Sequence, residues 1–289
     1  MLKDIIKSLR IKQWIKNGFL FAGIIFDGQL FNINAFFQTT VGFLIFCLLS
    51  SSVYYINDVF DKEADKQHPI KSSRPIASGR IQVGTAIFIA LLMSSLAFIA
   101  AYFLSIEFLI LCTIYFLLNI LYSKWLKHIP ILDVMIIAAG FVIRVAAGVS
   151  LIKVERFSPW LYMVTTLLSL FIGFGKRRAE LVLLSEDANQ HRIVFEGYSI
   201  PFLDQLITIV SSTTVITYSL YSFSAPNLPE THSMMLTIPF VLYGIFRYLY
   251  LIQIKQSGEA PEELVLKDKP LQLSVLFYGI SVLIIFYLI

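Results

Sequence analysis

The sequence predicts an all-α integral membrane protein of nine transmembrane helices, and three observations carry that prediction. Of 289 residues, 57% are hydrophobic and 15% charged, whereas soluble domains carry about 25% charged residues. The mean hydropathy is +0.76. Apolar runs close to the roughly 20 residues that cross a bilayer recur along the chain, without the short alternating segments of a barrel.

The runs lie near 15–34, 38–57, 82–104, 107–123, 131–151, 159–175, 201–223, 234–252 and 271–289, giving one polytopic membrane domain over 1–289. A basic tail (Lys3, Lys7, Arg10, Lys12, Lys16) leads into the first run, and no small-residue cleavage site follows, unlike a signal peptide. Cys47 and Cys112 stand singly in the second and fourth runs, so neither a disulfide framework nor a metal spacing is expected. Pro130, Pro159, Pro201 and Pro270 stand at or beside the starts of later runs, where a missing N–H costs little.

Nine spans place the chain ends on opposite sides. Nineteen of the 23 Lys and Arg residues fall in the N-terminal tail and the loops after the second, fourth, sixth and eighth runs. Lys153 and Arg156 alone fall on the other side, while Arg144 and Arg247 lie within runs. This asymmetry predicts a multi-pass protein of the cell membrane with a cytoplasmic N-terminus and the C-terminus opposite. The bilayer accounts for the basic residues, and no nucleic-acid partner is expected.

Residues 57–80, NDVFDKEADKQHPIKSSRPIASGR, need a further explanation. Asp58, Asp61, Glu63 and Asp65 crowd into eight residues, with Lys62, Lys66, Lys71, Arg74 and Arg80 among and after them. If the second helix continues this far, Asp58, Asp61 and Asp65 share an arc of about 60°, with Asn57 adjoining. Like charges so spaced destabilise a helix, and a divalent cation would reverse the penalty. Hard oxygen ligands suit Mg²⁺, which completes its shell with water and substrate phosphate. Lys71 and Arg74 would then hold further phosphate oxygens. The plainer reading is a solvated loop.

Asn57-Asp58-Val59-Phe60-Asp61-Lys62-Glu63-Ala64-Asp65, followed by Arg74-Pro75, resembles the NDxxDxxxD signature of the UbiA superfamily of intramembrane prenyltransferases. The resemblance implies a UbiA-like bundle with a cytoplasm-facing active-site cavity. It also implies a diphosphate bound through Mg²⁺, with Asn57, Asp58, Asp61 and Asp65 as the catalytic, metal-holding residues. Family members that alkylate quinone or haem precursors carry a second aspartate-rich motif after the sixth helix. Here that place reads GFGKRRAEL, with Lys176, Arg177, Arg178 and Glu180. Three adjacent cations look like a receptor for an anion, although a positive-inside helix cap would read the same way.

The stretches LRIKQWIKN, YSKWLKHIPILDV, GFVIRVAAG, GKRRAE and GEAPEELVLKDKPLQ each resemble segments of decaprenyl-phosphate phosphoribosyltransferases. This branch implies phosphoribosyl pyrophosphate as donor and a polyprenyl phosphate as acceptor. It implies Lys127, Lys176, Arg177 and Glu180 near the lipid phosphate, with Gln13, Lys16 and Asn17 opening the same cavity. Arg178 departs from the aromatic residue of the family pattern.

Asp133 and Arg144, about 16 Å apart along the fifth helix, join the substrate-binding candidates. A mid-span arginine needs a partner, either substrate phosphate or a carboxylate on another helix. Arg247 is expected to snorkel to the interface. Glu262, Glu263 and Asp268 read as a lid cluster or a solvated loop. Tyr218 and Tyr221 read as aromatic-belt residues. An aromatic prenyltransferase, which would carry acidic residues at 176–178, and an anion transporter are the alternatives.

Overall fold

The computed structural model describes residues 2–67, 71–152, 158–184, 197–225, 228–256, 264–265 and 267–288. Its described elements are helical: α1 (Leu2–Ser8), a 3₁₀ helix (Ile11–Phe21), α2 (Ala22–Phe26), α3 (Ile33–Phe60), α4 (Lys62–Gln67), α5 (Val83–Leu104) and α6 (Ile106–Lys124). There follow α7 (Leu132–Val149), α8 (Pro159–Leu184), α9 (Ile200–Ser224), α10 (Ile238–Gln253) and α11 (Lys269–Tyr287). Among the described residues, seven helices are long and apolar enough to cross a membrane: α3, α5, α6, α7, α9, α10 with its preceding turn, and α11.

Helix starts follow from local chemistry. The Asn32 side chain accepts from the amides of Asn34 and Ala35 to open α3. Ser105 does the same for α6, Ser199 for α9 and Asp268 for α11. Each satisfies an amide that the first helical turn leaves without a partner.

The first expected span differs from its prediction. Residues 15–34 form no continuous α-helix; the 3₁₀ helix gives way to the short α2, and Gly28 takes a φ of +67°. The 3₁₀ form, tighter than an α-helix and rarely longer than a turn, lets the backbone of Leu20 press on Gly148. A Cβ at Gly148 would lie 1.9 Å from the Leu20 carbonyl oxygen. Two other helices run past their predicted ends. α3 reaches Phe60 and so includes Asp58, while α8 reaches Leu184 and carries Lys176 to Glu180 within the helix.

The chain divides into two compact units. The first comprises Met1–Ile25, Gln29–Lys127 and Ile143–Val154. There α3 packs against α5, α6 and the 3₁₀ helix, burying Leu20, Phe46, Leu49, Phe108, Cys112 and Tyr115. The second comprises Phe26–Gly28, His128–Val142 and Glu155–Ile289. There α8 packs on α9 and α10 on α11, around Val134, Phe171, Leu203, Ile207, Tyr248 and Ile252. α7 gives its first residues to the second unit and its last to the first. Phe88, Leu91, Ile99 and Phe103 of α5 stay exposed, as suits a helix facing hydrocarbon.

Gly148→Ala is expected to lower the melting temperature in detergent, at a cost of about 1–3 kcal/mol. The colliding atom belongs to backbone and cannot rotate away. An unchanged melt would show that the 3₁₀ segment yields freely.

Candidate active site

In the first unit, α3 ends at Phe60 and Asp61 caps it, its amide bonding the Asn57 carbonyl. α4 restarts at Lys62. The three aspartates straddle a one-residue interruption: Asp58 sits in the last turn of α3, Asp61 at the junction and Asp65 on α4, while the Asp61 and Asp65 amides still bond the carbonyls of Asn57 and Asp61. Cations join them. Arg74 Nη1 donates to Asp65 Oδ2 at 2.6 Å and to Asp58 Oδ1 at 3.2 Å. Arg10 also donates to Asp58 Oδ1. Lys127 donates to Asp61 Oδ1, and Asn57 Nδ2 donates to Asp61 Oδ2 at 3.0 Å.

Asp58 and Asp65 are 3% and 4% exposed, and Lys127 is buried. That burial rules out a simple solvated loop. Glu63 shows the contrast: it lies in the open, and Lys66 at 2.9 Å holds its carboxyl below the usual range. Lys71 is half-buried on the turn whose carbonyl accepts from the Arg74 amide at 2.9 Å.

Sequence reasoning treated Arg10 only as an orienting charge. The signal for its role is conformational and invisible in composition: its φ of +52° places it in the left-handed region ahead of the 3₁₀ helix, and its guanidinium lies over the Tyr54 ring at 5.0 Å. Asn17, on the same 3₁₀ helix, is fully buried. Its Nδ2 donates to Ser50 Oγ at 3.1 Å, and its Oδ1 accepts from Arg144 Nε at 2.8 Å. Arg144 Nη2 donates to the Tyr115 hydroxyl at 2.8 Å, with the guanidinium also over that ring. The buried Arg144 thus uses an amide and a phenol, including Tyr115, which sequence reasoning did not single out. Gln13 and Lys16 are half-buried beside Asn17 on the 3₁₀ helix.

The second unit holds a separate cluster. Arg177 Nε donates to Asp133 Oδ2 at 2.5 Å, and its Nη1 donates to Glu180. The Tyr198 hydroxyl donates to Asp133 Oδ1 at 2.7 Å. Burial and the Asp133 acceptor push the Tyr198 phenol well up, so it keeps its proton. Asp133 is fully buried and Arg177 nearly so. Lys176 Nζ is more exposed, 3.9 Å from Glu180.

Arg178 turns elsewhere, donating to Asp204 Oδ1 at 2.6 Å and to the Ile252 carbonyl at 2.9 Å. Asp133 and Arg144, although on one helix, belong to different clusters. Three lesser expectations need correction or restriction. Arg247 pairs with Asp268 at 2.8 Å, which holds the Asp268 carboxyl below its ordinary range, so a lone snorkelling role does not describe it. Glu262 and Glu263 lie outside the described residues. Tyr218 and Tyr221 are buried against each other, with Tyr218 also bonded to Thr237, and form no surface belt.

A family model, the UbiA prenyltransferase family, matches residues 18–267. The chain belongs to that family. A decaprenyl-phosphate phosphoribosyltransferase of Corynebacterium glutamicum is 31% identical, over 98% of this chain and 86% of its own length. One of Mycolicibacterium smegmatis is 33% identical, over 94% of this chain and 89% of its own. Among solved structures, a UbiA homolog from Archaeoglobus fulgidus bound to DMAPP and Mg²⁺ superposes with a TM-score of 0.73 at 18% identity. That match covers 99% of this chain and 100% of that one. At this identity the likeness establishes the fold alone. The NDxxDxxxD stretch lies across the α3–α4 junction.

Lys176 and Arg178 are expected to separate in a melting experiment. Arg178→Met strips partners from Asp204 and the Ile252 carbonyl, and should destabilise by about 1–3 kcal/mol. Lys176→Ala, at the more exposed position, should leave the melting temperature within error. Equal losses would assign these two cations to the same role.

Proposed function

We propose that the protein transfers 5-phosphoribose from phosphoribosyl pyrophosphate to a polyprenyl phosphate of the decaprenyl-phosphate type and releases pyrophosphate. The observation that carries this reading is the pairing of a buried aspartate-rich motif with a cationic second motif. Where an aromatic prenyltransferase of this family needs acidic residues, this chain has Lys176 and Arg177, set among Asp133 and Glu180. The relatives similar over nearly the whole chain bear the matching name.

The donor set around the α3–α4 break is entirely oxygen, from Asn57, Asp58, Asp61 and Asp65. Among the described residues no three His, Cys, Asp or Glu side chains converge as a complete metal-binding group. Such a set fits Mg²⁺, which takes one or two protein carboxylates and draws its other ligands from phosphate and water. Bound there, Mg²⁺ would neutralise charge on the diphosphate.

The chain's own residues supply the rest. Arg74 and Arg10 already stand against the carboxylates and would hold the donor's phosphate oxygens, with Lys71, Gln13 and Lys16 nearby in sequence; Lys127, expected at the lipid phosphate, bonds Asp61 and is reassigned to the donor's side. The C1–O bond of ribose breaks with its electron pair going to pyrophosphate, and a phosphate oxygen of the lipid forms the new bond to C1. That nucleophile is ionised at neutral pH, so the reaction asks for no general base. Arg177 and Lys176 would bind the lipid phosphate and hold it in position. Asn17 and Arg144, bonded to each other, would set the position of the 3₁₀ helix that carries Gln13 and Lys16. The prenyl tail explains the membrane fold, since only the bilayer delivers such an acceptor.

The same reading includes the finer topology: nine spans in all, with the N-terminus and active-site cavity cytoplasmic, the C-terminus on the far side, and residence in the cell membrane. Its support is the charge asymmetry.

The test is incubation of purified protein with labelled phosphoribosyl pyrophosphate and polyprenyl phosphate. Label is expected in the lipid, and excess EDTA is expected to abolish it. Transfer of a prenyl group to an aromatic acceptor, with no labelled lipid, would overturn the assignment.

The two motifs should also separate kinetically. Asp65→Asn is expected to raise KM for phosphoribosyl pyrophosphate, and Lys176→Ala to raise KM for the lipid. Each rise should be about 10–100-fold, from one lost charged contact. If both variants raise KM for the same substrate alone, the division between donor and acceptor motifs is wrong.

A further inference from the structure

Ile131 has a φ of +69°. A β-branched residue in the left-handed region is a true outlier, and such conformations persist only where their surroundings enforce them. Two contacts do so here. Pro130, immediately before it, lies so close to Gly197 that a Cβ there would come within 2.3 Å of the proline Cγ. The backbone N–H of Ile131 donates to the Tyr198 hydroxyl oxygen at 2.5 Å. The turn before α7 and the segment before α9 are thus locked together at Pro130–Ile131 and Gly197–Tyr198.

The lock has a direction. A backbone N–H only donates, so Tyr198 receives that bond on oxygen and its single proton is left for Asp133, 2.7 Å away. The high proton affinity of the buried phenol keeps that proton in place. Asp133 is thereby fixed through Oδ1, and its Oδ2 faces Arg177 Nε at 2.5 Å. Glu180 takes Arg177 Nη1. The chain Ile131 N–H, Tyr198 O–H, Asp133, Arg177 ends at a guanidinium whose plane is held at two of its nitrogens. The Tyr198 ring itself stacks on Phe202, with centroids 6.5 Å apart.

We propose that Tyr198 is a positioning residue of the anion-binding motif, setting affinity for the acceptor's phosphate by holding Asp133 and, through it, Arg177. It rests on the function proposed above only in naming that anion. Tyr198 touches no substrate in this scheme, and it reaches Arg177 through Asp133, while its bond from the Ile131 amide fixes where its own hydroxyl sits.

Tyr198→Phe keeps the ring and its stacking on Phe202 and removes only the hydroxyl. The primary measurement is direct binding of tritiated farnesyl phosphate to the purified protein in detergent, which needs no turnover. Binding is expected to weaken about tenfold, the effect of one lost hydrogen bond to a charged group. In turnover, KM for polyprenyl phosphate should rise by a like factor while KM for phosphoribosyl pyrophosphate stays unchanged. A merely structural tyrosine would raise both or neither.

The decisive control is a double-mutant cycle. In an Asp133→Asn background, adding Tyr198→Phe should cause no further loss of farnesyl phosphate binding. If the two losses multiply, or if Tyr198→Phe binds farnesyl phosphate as tightly as the parent protein, the proposal is overturned. Should the parent protein bind farnesyl phosphate but transfer no phosphoribose, the reaction assigned above fails while the binding cycle still decides the role of Tyr198.

Discussion

An ionised carboxylate buried to a few per cent exposure is tolerable only with cations and hydrogen-bond donors against it, because the protein interior returns little of the solvation it takes away. Asp58, Asp65 and Asp133 are all buried to this degree, and the architecture around them follows from meeting that need. Asp58 draws in Arg10, which enters the 3₁₀ helix in a left-handed conformation to reach it. Asp65 and Asp58 share Arg74, so the segment after α4 must fold back toward the end of α3. Asp61 takes Lys127 from beyond α6. Asp133 takes Arg177 from α8 and the hydroxyl of Tyr198 from the start of α9. In each unit the carboxylates settle which segments converge, and the apolar packing is arranged behind them.

Such an arrangement also suits a site for phosphate ligands. Arginine and lysine held by carboxylates are already desolvated and oriented, so an arriving phosphate meets donors with little side-chain entropy left to lose. A free surface lysine would have to surrender that freedom on binding. Removing one member leaves its partner as an unpaired buried charge, which is why the clusters would be intolerant of substitution even at positions that never touch a ligand.

Hydropathy made most of the fold legible in the sequence, because a span is a property of about 20 residues together and tolerates errors at its ends. Seven helices appear where long apolar runs predicted spans. The first run is helical but not one continuous α-helix, for a reason hydropathy does not see: the Leu20 backbone packs into the space left by Gly148, and the segment there winds as a 3₁₀ helix. Helix ends were the weaker part of the reading. The one-residue interruption at Asp61 was not legible, yet the clustering of Asp58, Asp61 and Asp65 between apolar runs was, and the structure buries Asp58 and Asp65 around a shared Arg74. Arg10, Tyr115 and Tyr198 escaped notice because each acts through a contact 29 or more residues away in sequence. A basic tail and scattered tyrosines in a membrane protein have ordinary explanations that hide such contacts.

The stretch Lys176-Arg177-Arg178 shows how a helix divides a motif that reads as one. Successive residues on an α-helix point about 100° apart, so three adjacent cations cannot serve one face. Arg177 points to Asp133 and Glu180, Arg178 to Asp204 and the Ile252 carbonyl, and Lys176 stays the more exposed. Glu180 follows Arg177 by three residues and Lys176 by four, the two spacings that share a helical face. The carboxylate thus joins the first two cations of the triplet and excludes the third. A sequence motif that continues onto a helix is in effect two motifs, one for each side. Here Arg178 falls on the side that packs against Asp204 and Ile252. Arg178 is therefore held by Asp204 without disturbing the face on which Arg177 and Glu180 lie.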